Sequence, residues 1–238
     1  MHTFNRAIGK LFVIESGSDG SGKKTQTLKL YKRLTAEGYN VRIIDFPRYE
    51  HESSALIRMY LRGDFGKNAG DVDPFTASTF YAVDRYASFQ QDWKEFYLNG
   101  GIVLADRYTT SNMVHQTAKL PHSERQEYLD WVLDLEFNKM KLPTPTKVIL
   151  LDVPVDVTLQ LTLDRISKMD GTTTKDIHEA DADYLKKSYE TAIDLAEKYN
   201  WSRINCLDNM KNMRSVDSIH EDIYNLLLNQ ISNSTTSL

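Results

Sequence analysis

The sequence predicts an α/β protein of three layers, a five-stranded parallel sheet with helices on both faces. Three observations predict it. Short apolar runs alternate with longer segments of helical periodicity along nearly the whole chain. One run, KVILLDV at Lys147–Val153, is almost continuously apolar, as in a strand covered on both sides. The first run leads directly into a glycine loop, a lysine and a helix, the order that a phosphate cradle requires.

That first stretch is FVIESGSDGSGKKTQT, Phe12–Thr27. Leu11–Ile14 reads as a strand, and the helix begins near Lys24 and runs to Glu37, stopped by Gly38. Between them Gly17, Gly20 and Gly22 allow consecutive backbone N–H groups to turn inward around an anion. The following helix points its positive end at the same anion, and Lys23 adds a point charge. The spacing Gly17-x-x-x-x-Gly22-Lys23 fits the nucleotide-binding template at its first seven positions, so Gly17, Ser18, Asp19, Gly20, Ser21, Gly22 and Lys23 form the expected cradle. The eighth position should offer a hydroxyl to Mg²⁺ but holds Lys24. Thr25 is one residue, about 100°, further round the helix and does not replace it.

The remaining elements follow in order. Val41–Phe46 is a second strand ended by Pro47, and Glu52–Arg62 is helical up to Gly63. Phe65–Asp73 is a polar loop, after which Pro74 starts a long helix to about Leu98. Ile102–Ala105 is the third strand, Ser123–Phe137 an amphipathic helix, and Lys147–Val153 the fourth strand. Helical pattern continues over Val155–Arg165 and Ala182–Tyr199, with a polar stretch at Met169–Lys175 between them. Ser202–Cys206 is a short fifth strand and Val216–Gln230 a last helix, followed by a tail, 232–238, expected to fray.

A chain of 238 residues, 41% hydrophobic, suits one α/β domain, or at most two small ones, and a single domain spanning 1–238 is expected. Its net charge of −4 argues against a nucleic-acid surface. The single cysteine, Cys206, fits a reducing compartment and has no evident catalytic partner. No segment approaches membrane-spanning length and no leader pattern opens the chain, so a cytoplasmic protein without a membrane partner is expected. His115 and His122 lack a cluster with metal-ligand spacing, so no structural zinc is expected. The acidic run Glu179, Asp181 and Asp183 reads either as a solvated helix start or as a holder of metal-bound water.

In a parallel sheet, ligands bind beyond the carboxyl ends of the strands. Phe46-Pro47-Arg48-Tyr49 follows the second strand there, and Asp106-Arg107-Tyr108 the third. Arg48 and Arg107 are therefore candidates to clamp a second phosphate group, since guanidinium forks match phosphate oxygens. Asp19 and Asp106 are candidates to hold the waters of Mg²⁺ or to orient Arg107, with a loop or capping role as the plain alternative.

Five pieces in order, GSDGSGKKTQ at Gly17–Gln26, FPRY at Phe46–Tyr49, YAVDR at Tyr81–Arg85, DRYTTSN at Asp106–Asn112 with Gln116, and LDVP at Leu151–Pro154, resemble a thymidylate kinase of the P-loop nucleoside-monophosphate kinase group. The resemblance runs from about Lys10 to Asp222. It implies ATP-dependent phosphorylation of dTMP to dTDP, with Mg²⁺, in a homodimer formed through the region of the long helix. The loop through Thr25 would hold the ATP phosphates, with Lys23 at the transferring end and Asp19 between donor and acceptor. Arg48 and Arg107 would bind the acceptor monophosphate, and Phe46 would line the base pocket. Tyr81 would stack on thymine, Arg85 would reach its carbonyl edge, and Asn112 and Gln116, with Ser111 beside them, would face its other polar edge. The segment from Arg165 to about Asp183 resembles the family's mobile lid, with Arg165 its main charge at the transferring phosphoryl group.

Two departures qualify the resemblance. With Lys24 in place, either the metal is held through water and carboxylates, or Lys24 itself offsets phosphate charge, or turnover is poor. His115 stands where the family usually places Tyr or Phe against the acceptor's sugar, which bears on deoxy-over-ribo discrimination. Two other functions therefore stand beside the first: a kinase for another nucleoside monophosphate, and a nucleotide-binding regulator that is catalytically weak.

Overall fold

The structure, a computed structural model, describes residues 8–68, 70–160 and 182–232. Its centre is β1 (Lys10–Ser16), in which every residue after Lys10 is buried. It pairs in parallel with β3 (Ile102–Asp106) on one side and β4 (Lys147–Asp152) on the other. β2 (Val41–Asp45) lies outside β3 and β5 (Ser202–Asn205) outside β4, giving the order β2-β3-β1-β4-β5. Asp106 is level with both Ile14 and Asp45, so the ends of three strands meet on one edge of the sheet. The glycine loop, Phe46–Tyr49 and Arg107–Tyr108 all leave from that edge.

The three inner strands, β3, β1 and β4, bury both faces, which is why their runs do not alternate with polar residues. Leu11 and Val13 pack with Val103, Ala105, Val148 and Leu150 on one face. That face is covered by α3 (Pro74–Ser88), α5 (Thr109–Thr117), α6 (Arg125–Leu133) and α8 (Ala182–Lys198). Phe12 and Ile14 pack with Leu104, Ile149 and Leu151 on the other. There α1 (Lys23–Ala36) contributes Leu30 and Leu34, and α9 (Val216–Ser232) contributes Ile219, Ile223 and Leu227. At about 2 kcal/mol per buried side chain, these contacts hold the helices that carry the site to the sheet that aims them.

Local chemistry sets the helix ends. Asp73 caps α3 by accepting from Phe75 N at 2.9 Å and Thr76 N at 3.1 Å, with Pro74 at the first helical position. α1 ends where Gly38 takes φ 88° and Tyr39 N returns to Leu34 O at 3.0 Å. The long helix from Pro74 is interrupted by a π turn at Phe89–Trp93 before α4 (Lys94–Leu98). A 3₁₀ turn at Glu52–Ser54 leads into α2 (Ala55–Leu61), and helical residues 155–160 (α7) follow β4. The helix expected over Ser123–Phe137 divides into a 3₁₀ turn, α6 and a second π turn at Asp134–Lys139.

α5 is a finding the sequence pattern did not give. TTSN is polar and partly β-branched, a weak helix former. Tertiary partners at its first turn hold it instead, as described below. Of the expected lid at 165–183, including Arg165, nearly all lies outside the described residues, as does the tail beyond Ser232. Among the described residues no helix is long and apolar enough to cross a membrane.

Candidate functional site

The loop between β1 and α1 closes over its own lysine. Lys23 Nζ donates to Ser16 Oγ at 2.7 Å and to Ser18 O at 3.2 Å, and lies 3.4 Å from Asp19 Oδ1. Burial pushes the Lys23 ammonium's pKa down, and Arg107 adds to that, while Asp19 and Glu15 oppose it. Gly22 takes φ 91°, a left-handed angle that a side chain would strain. Gly17 is needed for space: a Cβ there would lie 2.6 Å from Tyr189 Cα, so α8 presses directly on the loop. Ser21 Oγ is buried without a hydrogen-bond partner among the described residues. A buried hydroxyl donor inside a glycine loop at a helix N-terminus suits a phosphate oxygen.

Arg107 is the hub beside this loop. Its φ of 70° places a non-glycine residue in the left-handed region, and its N–H is fixed to Ile14 O at 3.2 Å. The turn aims the guanidinium back across the loop. Nη2 pairs with Asp19, and Nη1 donates to His115 Nε2 at 3.1 Å and lies 3.9 Å from Glu15 Oε1. Burial works against the Arg107 charge, but Asp19, Glu15 and Asp106 more than offset it and raise its pKa. The same pair holds Asp19 well below the usual carboxylate range, through the Arg107 charge first and Lys23 further.

A narrow cavity of about 100 Å³ opens from Asp19 and Arg107 toward α3 and α5. Phe46, Tyr81, Arg85, Asn112 and Gln116 line it, with His115 beside Tyr184 of α8. Gln116 Oε1 is buried without a partner among the described residues, so one acceptor is left facing this region. Ser111 lines the cavity too, with its Oγ donating to Glu15 at 2.6 Å.

The expected pair of arginines is only half assembled. Arg107 lines the cavity, whereas Arg48 is not among the lining residues. Asp84, only 1% exposed, takes Arg48 N at 2.9 Å and Nε at 3.4 Å, and Asp92 takes Nη1. Those carboxylates turn the Arg48 guanidinium toward the π turn and away from Arg107.

Two buried glutamates were missed by sequence reasoning. Glu15 accepts from Ser16 N at 2.9 Å, Thr110 Oγ1 at 2.8 Å and Ser111 Oγ. Glu136 accepts from Thr109 Oγ1 and from Arg85. Both carboxylates thus sit at the first turn of α5, where a helix N-terminus favours negative charge. Glu15 could have been found as a charged residue inside an apolar strand, since a buried charge needs partners. Glu136 carries no such signal, because DLEF reads equally as a solvated helix turn.

A second, wider cavity of about 960 Å³ lies along α1 and is lined by Asp19–Thr25, Asp106 and Arg107. Burial raises the Asp106 carboxyl's pKa, against Lys23 and Arg107, and no hydrogen bond or ion pair holds it among the described residues. Asp19 and Asp106 fit a magnesium ion, which is bound through one or two carboxylates together with substrate phosphates. Among the described residues no group of three or more His, Cys, Asp or Glu could hold a metal by itself. Lys24 and Thr25 are exposed on the wall of the same cavity. Cys206 is buried, its thiol pushed up to about 12 by burial, which agrees with a structural residue.

Comparison with known proteins shows the family. The family sequence profile for thymidylate kinase matches residues 14–218. A probable thymidylate kinase of Thermococcus onnurineus is 29% identical over 226 residues, covering 93% of this chain and 98% of that protein. A thymidylate kinase of Mycobacterium tuberculosis is 30% identical over 187 residues, covering 78% of this chain and 85% of its own. The solved structure of thymidylate kinase from Candida albicans superposes with a TM-score of 0.64 at 19% identity, covering 93% of this chain and 92% of that one, and so shares the fold.

Proposed function

The chain belongs to the thymidylate kinase family, and from that membership we propose how its residues carry out the reaction. It is a phosphotransferase that makes dTDP from dTMP with ATP as donor. The observation that carries the reading of its acceptor site is that Arg85, Gln116 and Arg107 all line one cavity. Thymine presents a carbonyl and an N–H along one edge. Arg85 offers donors and Gln116 Oε1 an unmet acceptor, while Phe46 and Tyr81 flank the slot as flat apolar walls. The monophosphate then falls at Arg107.

The donor phosphates occupy the loop Gly17–Lys23, taken up by its backbone N–H groups and Ser21 Oγ, as Lys23 exchanges Ser16 and Ser18 for phosphate oxygens. Asp19 lies between the two nucleotides, and Arg107 turns to the acceptor monophosphate. The metal ion, which we take to be Mg²⁺ held through Asp19 and Asp106, would neutralise charge on the donor phosphates. Phosphoryl transfer needs alignment and charge neutralisation more than covalent help, and no nucleophilic constellation is expected. Arg48 would have to leave Asp92 to reach the acceptor phosphate. Arg165 and the lid at 165–183 are assigned by resemblance to closing over ATP and excluding water.

We further take residues 1–238 as one domain, because both helical layers pack on one sheet. A cytoplasmic location fits the lone, buried, reduced Cys206. A homodimer through α3 is supported by Val83 and Tyr86, 50% and 42% exposed on its outer face. The test of function is ADP release with ATP and Mg²⁺ against dTMP, dUMP, dGMP, dCMP and UMP. Fast release with dTMP is expected. Release only with another monophosphate would refute the base reading, and none with any would point to Lys24 as disabling.

A further inference from the structure

We propose that Glu136 is a positioning residue that sets base selectivity by locking Arg85 as a rigid donor in the wall of the acceptor cavity. The inference rests on the reading that the base of dTMP occupies that cavity. Glu136 is fully buried and does not line the cavity, and it comes from the π turn after α6, 51 residues along the chain from Arg85. Both of its oxygens are used. Oε2 accepts from Arg85 Nε at 2.7 Å and from Thr109 Oγ1 at 2.7 Å, and Oε1 accepts from Arg85 Nη2 at 2.6 Å. Arg85 is itself only 1% exposed, and its Nη1 leans on Tyr108 O at 3.4 Å.

The side-on fork fixes the plane and the reach of the guanidinium. Three of its five N–H groups are committed to protein acceptors, and what remains faces outward from the Nη atoms. A guanidinium has no lone pair to offer, so Arg85 donates into the cavity and never accepts, leaving acceptance to Gln116 Oε1. Held rigidly, Arg85 rewards a base carbonyl and meets an amino group donor to donor. Such a mismatch leaves buried polar groups unpaired, the situation in which a site discriminates most strongly. A loosely held arginine would swing aside and forgive the mismatch. A fully buried ion pair is a poor source of stability, and orientation is what this one provides.

The experiment measures kcat/KM for dTMP and for dCMP, which carries an amino group in place of the carbonyl, in wild type and in Glu136→Gln, Glu136→Asp, Arg85→Gln and the double variant Glu136→Gln/Arg85→Gln. Wild type is expected to prefer dTMP. Glu136→Gln is expected to lower the dTMP-to-dCMP ratio about tenfold or more, raising KM for dTMP while KM for ATP stays within about twofold. The double variant is expected to be no less selective than Arg85→Gln alone, because Glu136 acts through Arg85. If Glu136→Gln shows no cooperative unfolding, Glu136→Asp decides: it keeps the charge but draws the fork back by one methylene, and the same fall is expected. A folded Glu136 variant whose two activities fall in proportion, leaving the ratio unchanged, would overturn the proposal alone. Wild type that prefers dCMP, or does not use dTMP, would overturn the reading of the cavity and the proposal with it.

Discussion

Replacing Glu15 separates the hydrogen bonds that hold the site from the charge that accompanies them. Glu15→Ala leaves Ser16 N–H buried without its acceptor, at about 2 kcal/mol. The Thr110 and Ser111 hydroxyls can rotate, so each costs about 0.5–1 kcal/mol. Arg107 keeps Asp19 and some solvent, which limits the lost ion pair at 3.9 Å to about 1 kcal/mol. The expected loss is about 4 kcal/mol, a large share of a domain stability of roughly 5–15 kcal/mol. Glu15→Gln keeps one carbonyl oxygen for these donors and should lose only about 1–2 kcal/mol. Urea unfolding followed by tryptophan fluorescence measures both, since Trp93 and Trp201 are buried. The comparison is of midpoints at equal slope and one protein concentration. A Glu15→Ala protein within about 1 kcal/mol of wild type would refute the claim that this carboxylate restrains α5 and Arg107. Equal losses for Ala and Gln would show that charge, and not hydrogen bonding, is what the site needs.

Other outcomes follow from the same geometry. Arg107→Ala is expected to lower kcat/KM for dTMP by about 10²–10³, whereas Arg48→Ala, held off the cavity by Asp84 and Asp92, should lower it less than about tenfold; equal losses in steady-state assays would show that Arg48 swings in. Lys24→Ser restores a hydroxyl at the expected metal position and should move the Mg²⁺ dependence of turnover to lower concentration. An unchanged midpoint in a Mg²⁺ titration would place that side chain off the metal. Burial lowers the Lys119 amine to about 7, with Asp73 opposing, while its Nζ donates to Tyr60 Oη and lies over the Tyr60 ring. A base with a depressed folded pKa costs stability in full below that value, and the cost fades as pH climbs to its unfolded pKa. The Tm advantage of Lys119→Met over wild type should therefore be largest at pH 7 and below and shrink toward pH 10; a difference independent of pH would contradict this.

The fold was legible because its signals were local. Leu11–Ile14 and Lys147–Val153 are apolar throughout, so each had to be a strand covered on both sides, and Gly22 and Gly38 mark the limits of α1 by backbone angle. The candidate site was legible where a residue sits at or just past a strand's end, as with Phe46, Asp106 and Arg107, which the structure brings to one edge of the sheet. It was not legible where function depends on who holds whom. No spacing says that Asp84 and Asp92 draw Arg48 aside, nor that Glu136 grips Arg85 across 51 residues. α5 was missed for the same reason: its first turn is polar, and what makes it a helix is the pair of carboxylates brought under it by β1 and the π turn.

On the proposed reading, the charges at the strand ends call for a further cation once nucleotides bind. Lys23 and Arg107 face three carboxylates, Glu15, Asp19 and Asp106, so the protein offsets its own phosphate-binding cations before any nucleotide arrives. Glu15 is committed to α5 and the Asp106 carboxyl has no hydrogen bond or ion pair among the described residues, so Asp19 would be the carboxylate that an incoming phosphate displaces from Arg107. Two nucleotides then add several negative charges to a region already short of positive ones. Asp19, once released, and Asp106 together face the donor phosphates across the wider cavity, and repulsion there must be relieved by a cation. A divalent ion relieves it most directly, because it can bridge carboxylate and phosphate oxygens at once, whereas the ammonium of Lys24 can only add charge nearby. On that reading Lys24 would supplement a divalent ion held by Asp19 and Asp106 and would not replace it.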